Sequence, residues 1–117
     1  MKDDRLYLVH IADRLERIAN YTEGGRDAFM RSPVVQDAVM RNLEVVGEAP
    51  KRVSEAVRAA HPDVPWRRLA GLRDVLIHHQ YMGVDLDQVW AAVELSSHSL
   101  RQEIEAVVAD LEPGDSS

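Results

Sequence analysis

The sequence predicts an all-α fold, an antiparallel bundle of four to five helices, and three observations carry that prediction. Apolar residues recur at steps of three and four along most of the chain, the period of one helix face. These stretches are separated only by short clusters of glycine, proline and serine, so consecutive helices must fold back on one another. No stretch shows the strict alternation of a half-buried strand, and there is no internal repeat and no phosphate-cradling glycine loop.

The first helix is expected over residues 4–21, where Leu8, Ile11, Ala12, Leu15, Ile18 and Ala19 form the apolar stripe. Glu23-Gly24-Gly25 ends it. Residues 25–31 add a short helical turn carrying Phe29. Ser32-Pro33 starts a second long helix, since serine caps and proline suits the first helical position. Val35, Val39, Leu43 and Val46 mark its buried stripe, and the pattern runs on through Val53 and Val57 to Ala60. Pro50 interrupts this helix and should kink it, because proline removes the bond to the carbonyl four residues back. His61-Pro62-Asp63-Val64-Pro65 is a tight connector. Pro65 opens a third helix through Trp66, Leu69, Leu72, Val75 and Leu76. Gly83 and Asp85 mark the next joint, with Asp85 as N-cap and Gln88 three residues later in the manner of a capping box. Leu86, Val89, Val93, Leu100, Ile104, Val107 and Leu111 then read as one last helix. Residues 1–111 make a single helical domain, and residues 112–117 a frayed tail.

A chain of 117 residues fits one domain, and a hydrophobic content of 45% fits a globular core. With two Trp, three Tyr and one Phe, aliphatic side chains must fill that core. The absence of cysteine excludes disulfides, thiolate catalysis and zinc–thiolate sites, and suits a reducing, cytoplasmic setting. The N-terminus carries no signal-peptide apolar run, and no apolar stretch approaches the ~18 residues that span a bilayer. A net charge of −6 argues against nonspecific nucleic-acid binding. The charge is unevenly spread. Residues 41–73 hold seven basic side chains (Arg41, Lys51, Arg52, Arg58, Arg67, Arg68 and Arg73) against four acidic ones. Residues 74–117 hold nine acidic side chains and one basic, Arg101. On charge alone, the basic stretch is as easily a solvated helix face as a binding surface.

Just after that basic centre stands Arg73-Asp-Val-Leu-Ile-His-His-Gln-Tyr81, the segment richest in chemistry. Arginine is a permanent planar cation that matches phosphate oxygens. Histidine moves protons near neutral pH. Tyrosine offers a hydroxyl that can donate, accept or be modified. Together they suit phosphoryl chemistry. RNA needs no metal or organic cofactor for such cleavage, because its own 2′-hydroxyl serves as nucleophile. On an ideal helix Arg73 and His79 stand about 9 Å apart along the axis and roughly 120° apart in rotation. Three arrangements would bring them together: a distorted helix near His78-His79, a long arginine reach, or a two-fold axis that sets His79 of one chain near Arg73 of another. The plain alternative is a surface arginine, a helix-terminal histidine and a capping tyrosine.

Other clusters carry less. Asp74 and His78 stand at i, i+4, as do Glu94 and His98, but two loose pairs fall short of the three or four convergent ligands of a metal centre. No metal and no cofactor is therefore expected. His10 reads as a helix-face residue and His61 as a loop residue. Trp66 and Trp90 read as packing anchors at helix starts. Glu48, next to Gly47, is expected to make a buried polar contact with a neighbouring arginine, and less readily to act as a catalytic carboxylate.

These residues resemble a known family. Arg73-x5-His79-x-Tyr81 looks like the R-x4–6-H-x-Y motif of HEPN-domain ribonucleases, and the chain is similar in particular to the HepT-like toxins. The supporting segments are Ala38-Val39 through Gly47-Glu48-Ala49, then Pro65-Trp66, then Leu72 to His78, then Gly83-Val84-Asp85 and Val89-Trp90. The alternative spacing Arg73-x4-His78 leaves Tyr81 three residues on. His79 satisfies the whole motif and is assigned, with His78, Asp74 and Glu48 as supporting candidates. Pro50 falls where the family usually continues a helix. The resemblance implies a HEPN-like bundle that homodimerises, with the two motifs facing each other. It implies metal-independent RNA cleavage that leaves a 2′,3′-cyclic phosphate. It also implies a minimal nucleotidyltransferase antitoxin as partner, able to adenylylate Tyr81. The rival expectation is a non-catalytic helical dimer that binds such a nucleotidyltransferase.

Overall fold

A computed structural model describes the backbone over residues 2–82, 85–96 and 98–111, and the side chains over residues 4–76, 85–96 and 99–111. The described residues are helical throughout, joined by short turns: α1 (Lys2–Tyr21), α2 (Gly25–Arg31), α3 (Pro33–Gly47), α4 (Ala49–Arg52), α5 (Glu55–Ala60), α6 (Trp66–Met82), α7 (Leu86–Leu95) and α8 (His98–Asp110). Five of these build the bundle, and the short α2, α4 and α5 link them. The fold class is thus the all-α one that the periodicity predicts. The tail expected at residues 112–117 lies outside the described residues.

The core follows from the apolar stripes. Leu8, Ile11, Leu15 and Ile18 of α1 are buried against Val39, Leu43 and Val46 of α3, and Leu100, Ile104 and Val107 of α8 join them. Helices α1 and α3 run antiparallel, since Tyr7 reaches Val45 while Arg14 reaches Asn42. Buried Asn42 accepts from Arg14 at 3.1 Å and donates to the Ala38 carbonyl at 2.7 Å, so neither side of its amide is left without a partner. Helix α6 packs on α3 through Leu69 and Leu72, and α7 closes the bundle against both. Phe29 of α2 meets Trp90 of α7 with ring centroids 5.3 Å apart and planes tilted by 43°. Arg26 pairs with Asp87 beside that contact. Trp66 donates its indole N–H to the His61 carbonyl at 3.0 Å. Both tryptophans anchor packing, although Trp90 sits in the middle of α7.

The caps expected at Ser32 and Asp85 are formed. Ser32 accepts from the Val35 N–H with Pro33 as the next residue, and Asp85 accepts from the Gln88 N–H. Two boundaries differ from the sequence reading. The stretch from Pro33 to Ala60 is three helices, not one kinked helix. Pro50 sits in the first turn of α4, where a missing N–H costs nothing, so the proline opens a helix instead of bending one. The complete break comes later, at Val53-Ser54, where both residues are extended. Asp4 of α1 accepts from the Ser54 N–H at 3.0 Å, and the Ser54 hydroxyl accepts from the Val57 N–H. These bonds replace the helical ones. The expected single last helix is also two, α7 and α8. It breaks at buried Ser96, whose hydroxyl donates back to the Val93 carbonyl at 3.0 Å. Serine offers its own backbone this alternative to a continuing helix. The turn lets α8 lie along α1 while α7 stays on α3 and α6.

Candidate active site

Gly47 and Glu48 make the seat of the candidate site. Helices α3 and α6 approach so closely at Gly47 that a Cβ there would stand 3.2 Å from Cγ of Arg73, 3.4 Å from the Leu69 carbonyl and 3.5 Å from Cβ of Leu72. The aliphatic stem of Arg73 therefore lies over a glycine that has no side chain to push it away. One residue on, where α3 ends, Glu48 Oε1 meets Arg73 Nη1 at 3.1 Å. The glutamate does contact an arginine, but the pair is only half-buried, with side chains 39% exposed for Arg73 and 30% for Glu48. A pair so solvated contributes about 0–1 kcal/mol to stability. In this arrangement the guanidinium lies toward Glu48, at the end of α3.

The pair stands on a cleft of about 610 Å³ lined by Tyr7 and His10 of α1, Arg41, Glu44 and Val45 of α3, Glu48, Arg52 of α4, and Arg73 and Leu76 of α6. Arg41 is held by Glu44 at 2.6 Å. Among the described residues the Arg52 side chain has no ion pair. The Tyr7 hydroxyl donates to the Val45 carbonyl at 3.4 Å, a long bond. Burial pushes the Tyr7 phenol above its usual pKa, Arg52 nearby draws it down, and Glu48 pushes it up. Asp74 is exposed and is not part of the cleft lining. His79, Tyr81 and His78 lie on α6, but their side chains fall outside the described residues. Helix α6 is continuous through Met82, so no break in the helix reorients His79 relative to Arg73. Among the described residues no group of three or more His, Asp or Glu side chains is placed to hold a metal ion. His10 is exposed on its helix, and His61, closing α5, stands 3.7 Å from Asp110.

Tyr7, His10 and Arg52 were missed as site residues by sequence reasoning. The excess of basic residues over 41–73 was the one signal toward Arg41 and Arg52. Nothing in the sequence joins residue 7 to residue 52, because only the packing of α1 on α3 and α4 brings them to one cleft.

An all-α bundle that carries Arg73 and His79 on one packed helix, with five residues between them, is consistent with the HEPN-like class. Residues 11–107 match the family described as Ribonuclease HepT-like. The chain belongs to that family of ribonucleases. It is 39% identical over 100 residues to the "Probable ribonuclease HepT" of Thermococcus cleftensis, covering 85% of this chain and 90% of the relative. It is 35% identical over 115 residues to the "Putative RNase MJ1216" of Methanocaldococcus jannaschii, covering 97% and 94%. It is 34% identical over 109 residues to the "Putative RNase TTE0752" of Caldanaerobacter subterraneus, covering 92% and 96%. No solved structure gives a significant match. Among the described residues no helix is long and apolar enough to cross a membrane.

Proposed function

We propose that this protein is a metal-independent endoribonuclease, the toxin of a toxin–antitoxin pair, acting in the cytoplasm as a homodimer of single-domain chains. The observation that carries the reading is the braced Arg73: a motif arginine seated on Gly47, clamped by Glu48 and facing a cleft. His79 takes the proton of an RNA 2′-hydroxyl. The freed oxygen attacks the adjacent phosphorus, and the 5′-oxygen leaves with a proton from water. The products are a 2′,3′-cyclic phosphate and a free 5′-hydroxyl. Arg73 stabilises the charge that builds on the phosphorane-like transition state, the kind of preformed electrostatics that contributes most to such reactions. Tyr81 positions the phosphate. It is also the control point: a minimal nucleotidyltransferase would transfer AMP from ATP to its hydroxyl with release of pyrophosphate, and the added anion would repel RNA and occupy Arg73.

Cleavage of a labelled RNA by the isolated chain, with and without chelator, tests this. Activity is expected to survive chelator and to fall about 10²–10⁴-fold in His79→Ala, the usual cost of one acid–base group. Dependence on an added divalent ion would overturn the mechanism, and full activity in His79→Ala would move the role to His78. The second reading, a non-catalytic dimer that binds a nucleotidyltransferase, is favoured by the net charge of −6. It predicts no cleavage by the wild type and a stable complex with that partner.

A further inference from the structure

We propose that the cleft between α1, α3, α4 and α6 is a nucleotide subsite in which Arg52 binds the phosphate of an RNA residue flanking the one held at Arg73, with the Tyr7 ring as the surface beside its base. The proposal rests on the ribonuclease reading and extends it to substrate binding. Three observations lead to it. The cleft, at about 610 Å³, falls within the range of small-ligand pockets, roughly 300–1,000 Å³. Its three arginines differ in availability: Glu44 engages Arg41 and Glu48 engages Arg73, while the Arg52 side chain has no ion pair among the described residues. A guanidinium without an acidic partner among the described residues, at the wall of a cleft in a chain of net charge −6, is a second group able to take a phosphate, beside the one assigned to Arg73. Tyr7 is partly buried against the core on α1 and also lines the cleft, so part of its ring borders the space beside Arg52, and aromatic rings stack bases with little sequence preference. Of the seven basic residues of 41–73, Arg41, Arg52 and Arg73 line this cleft, beside Glu44 and Glu48.

The test uses the full chain and a short single-stranded RNA made non-cleavable by 2′-O-methyl groups, with binding followed by fluorescence anisotropy at several salt concentrations. Arg52→Ala is expected to weaken binding about tenfold at low salt and to lower the log–log salt slope by about 0.7, one single-strand phosphate contact. Arg52→Lys should recover the slope and part of the affinity. Arg31→Ala, the same charge removed from α2 outside the cleft, should change neither. Equal losses in Arg31→Ala and Arg52→Ala, or no loss in Arg52→Ala, would overturn the subsite. Adenosine monophosphate binding as tightly as the RNA, with the same Arg52 dependence, would overturn it in favour of a free-nucleotide site. Failure here is distinct from failure of the ribonuclease reading. RNA cleaved with unchanged KM in Arg52→Ala removes the subsite alone, whereas Arg52-dependent binding without any cleavage removes the catalytic reading alone.

Discussion

At the residue scale, the proposed site is built on two neighbours of Arg73, Gly47 and Glu48. Gly47 leaves room for the Arg73 stem and Glu48 meets its guanidinium. Gly47→Ala inserts a methyl 3.2 Å from Cγ of Arg73 and 3.4 Å from a backbone carbonyl. The arginine stem must give by a few tenths of an ångström, and activity is expected to fall, by less than the roughly 10²-fold that a misplacement of about 1 Å costs. Cleavage rates beside a thermal melt check this: a rate loss with little change in melting marks misplacement, and an unchanged rate removes the seat from the mechanism. The cleft also carries a pH signature. Burial raises the Tyr7 pKa in the folded chain, so above the ordinary value near 10.0 the unfolded chain has lost this proton while the folded one keeps it. The folded chain then holds more protons, and stability must fall as pH rises through that window. Tyr7→Phe should abolish this part of the alkaline loss, read as the difference between urea titrations of the two proteins from pH 9 upward. Parallel curves would mean that Tyr7 is free of burial. Arg73 was legible in the sequence because its spacing to His79 and Tyr81 is local. Tyr7 and Arg52 were not, because their meeting depends on packing between residues 45 positions apart.

At the element scale, stripes and caps were readable and continuity was not. Leu8 to Ile18 and Val39 to Val46 stand out because buried positions recur at the helical period. Val53 and Val57 keep the same period and are also buried, yet the chain breaks between them. A break that leaves the apolar phase intact is invisible to periodicity. It is written instead in Asp4 and Ser54, fifty residues apart, whose bond stands in for helical ones. Ser54→Ala should cost about 1 kcal/mol through loss of the α5 cap. Asp4→Ala should cost about 1–3 kcal/mol, because it leaves the Ser54 N–H without its acceptor. Urea unfolding should show both as lower midpoints at unchanged slope. A shift in neither would mean that the junction contributes nothing to stability.

At the scale of the whole molecule, the unbroken course of α6 bears on where the reaction can happen. A continuous helix keeps Arg73 and His79 on faces roughly 120° apart. Of the three ways to bring them to one phosphate, distortion of the helix is not seen along the described backbone, and reach by the arginine would exchange its half-exposed pair with Glu48, worth about 0–1 kcal/mol, for an extended side chain. A two-fold axis remains, and it asks for no strain, since an isologous interface presents the same helix from both chains. Light scattering should then report about twice the 13.2 kDa chain mass. The sharper test is complementation. Arg73→Ala and His79→Ala, each inactive alone, are unfolded together and refolded as a mixture. If each site takes its arginine from one chain and its histidine from the other, a mixed dimer holds one doubly damaged site and one intact site. Half the dimers are mixed in a random assortment, so about a quarter of wild-type activity should return. If arginine and histidine act within one chain, every site in every dimer lacks one of them and no activity returns. A monomer at micromolar concentration with full activity would remove the composite site and leave the reach of Arg73 as the only route to His79.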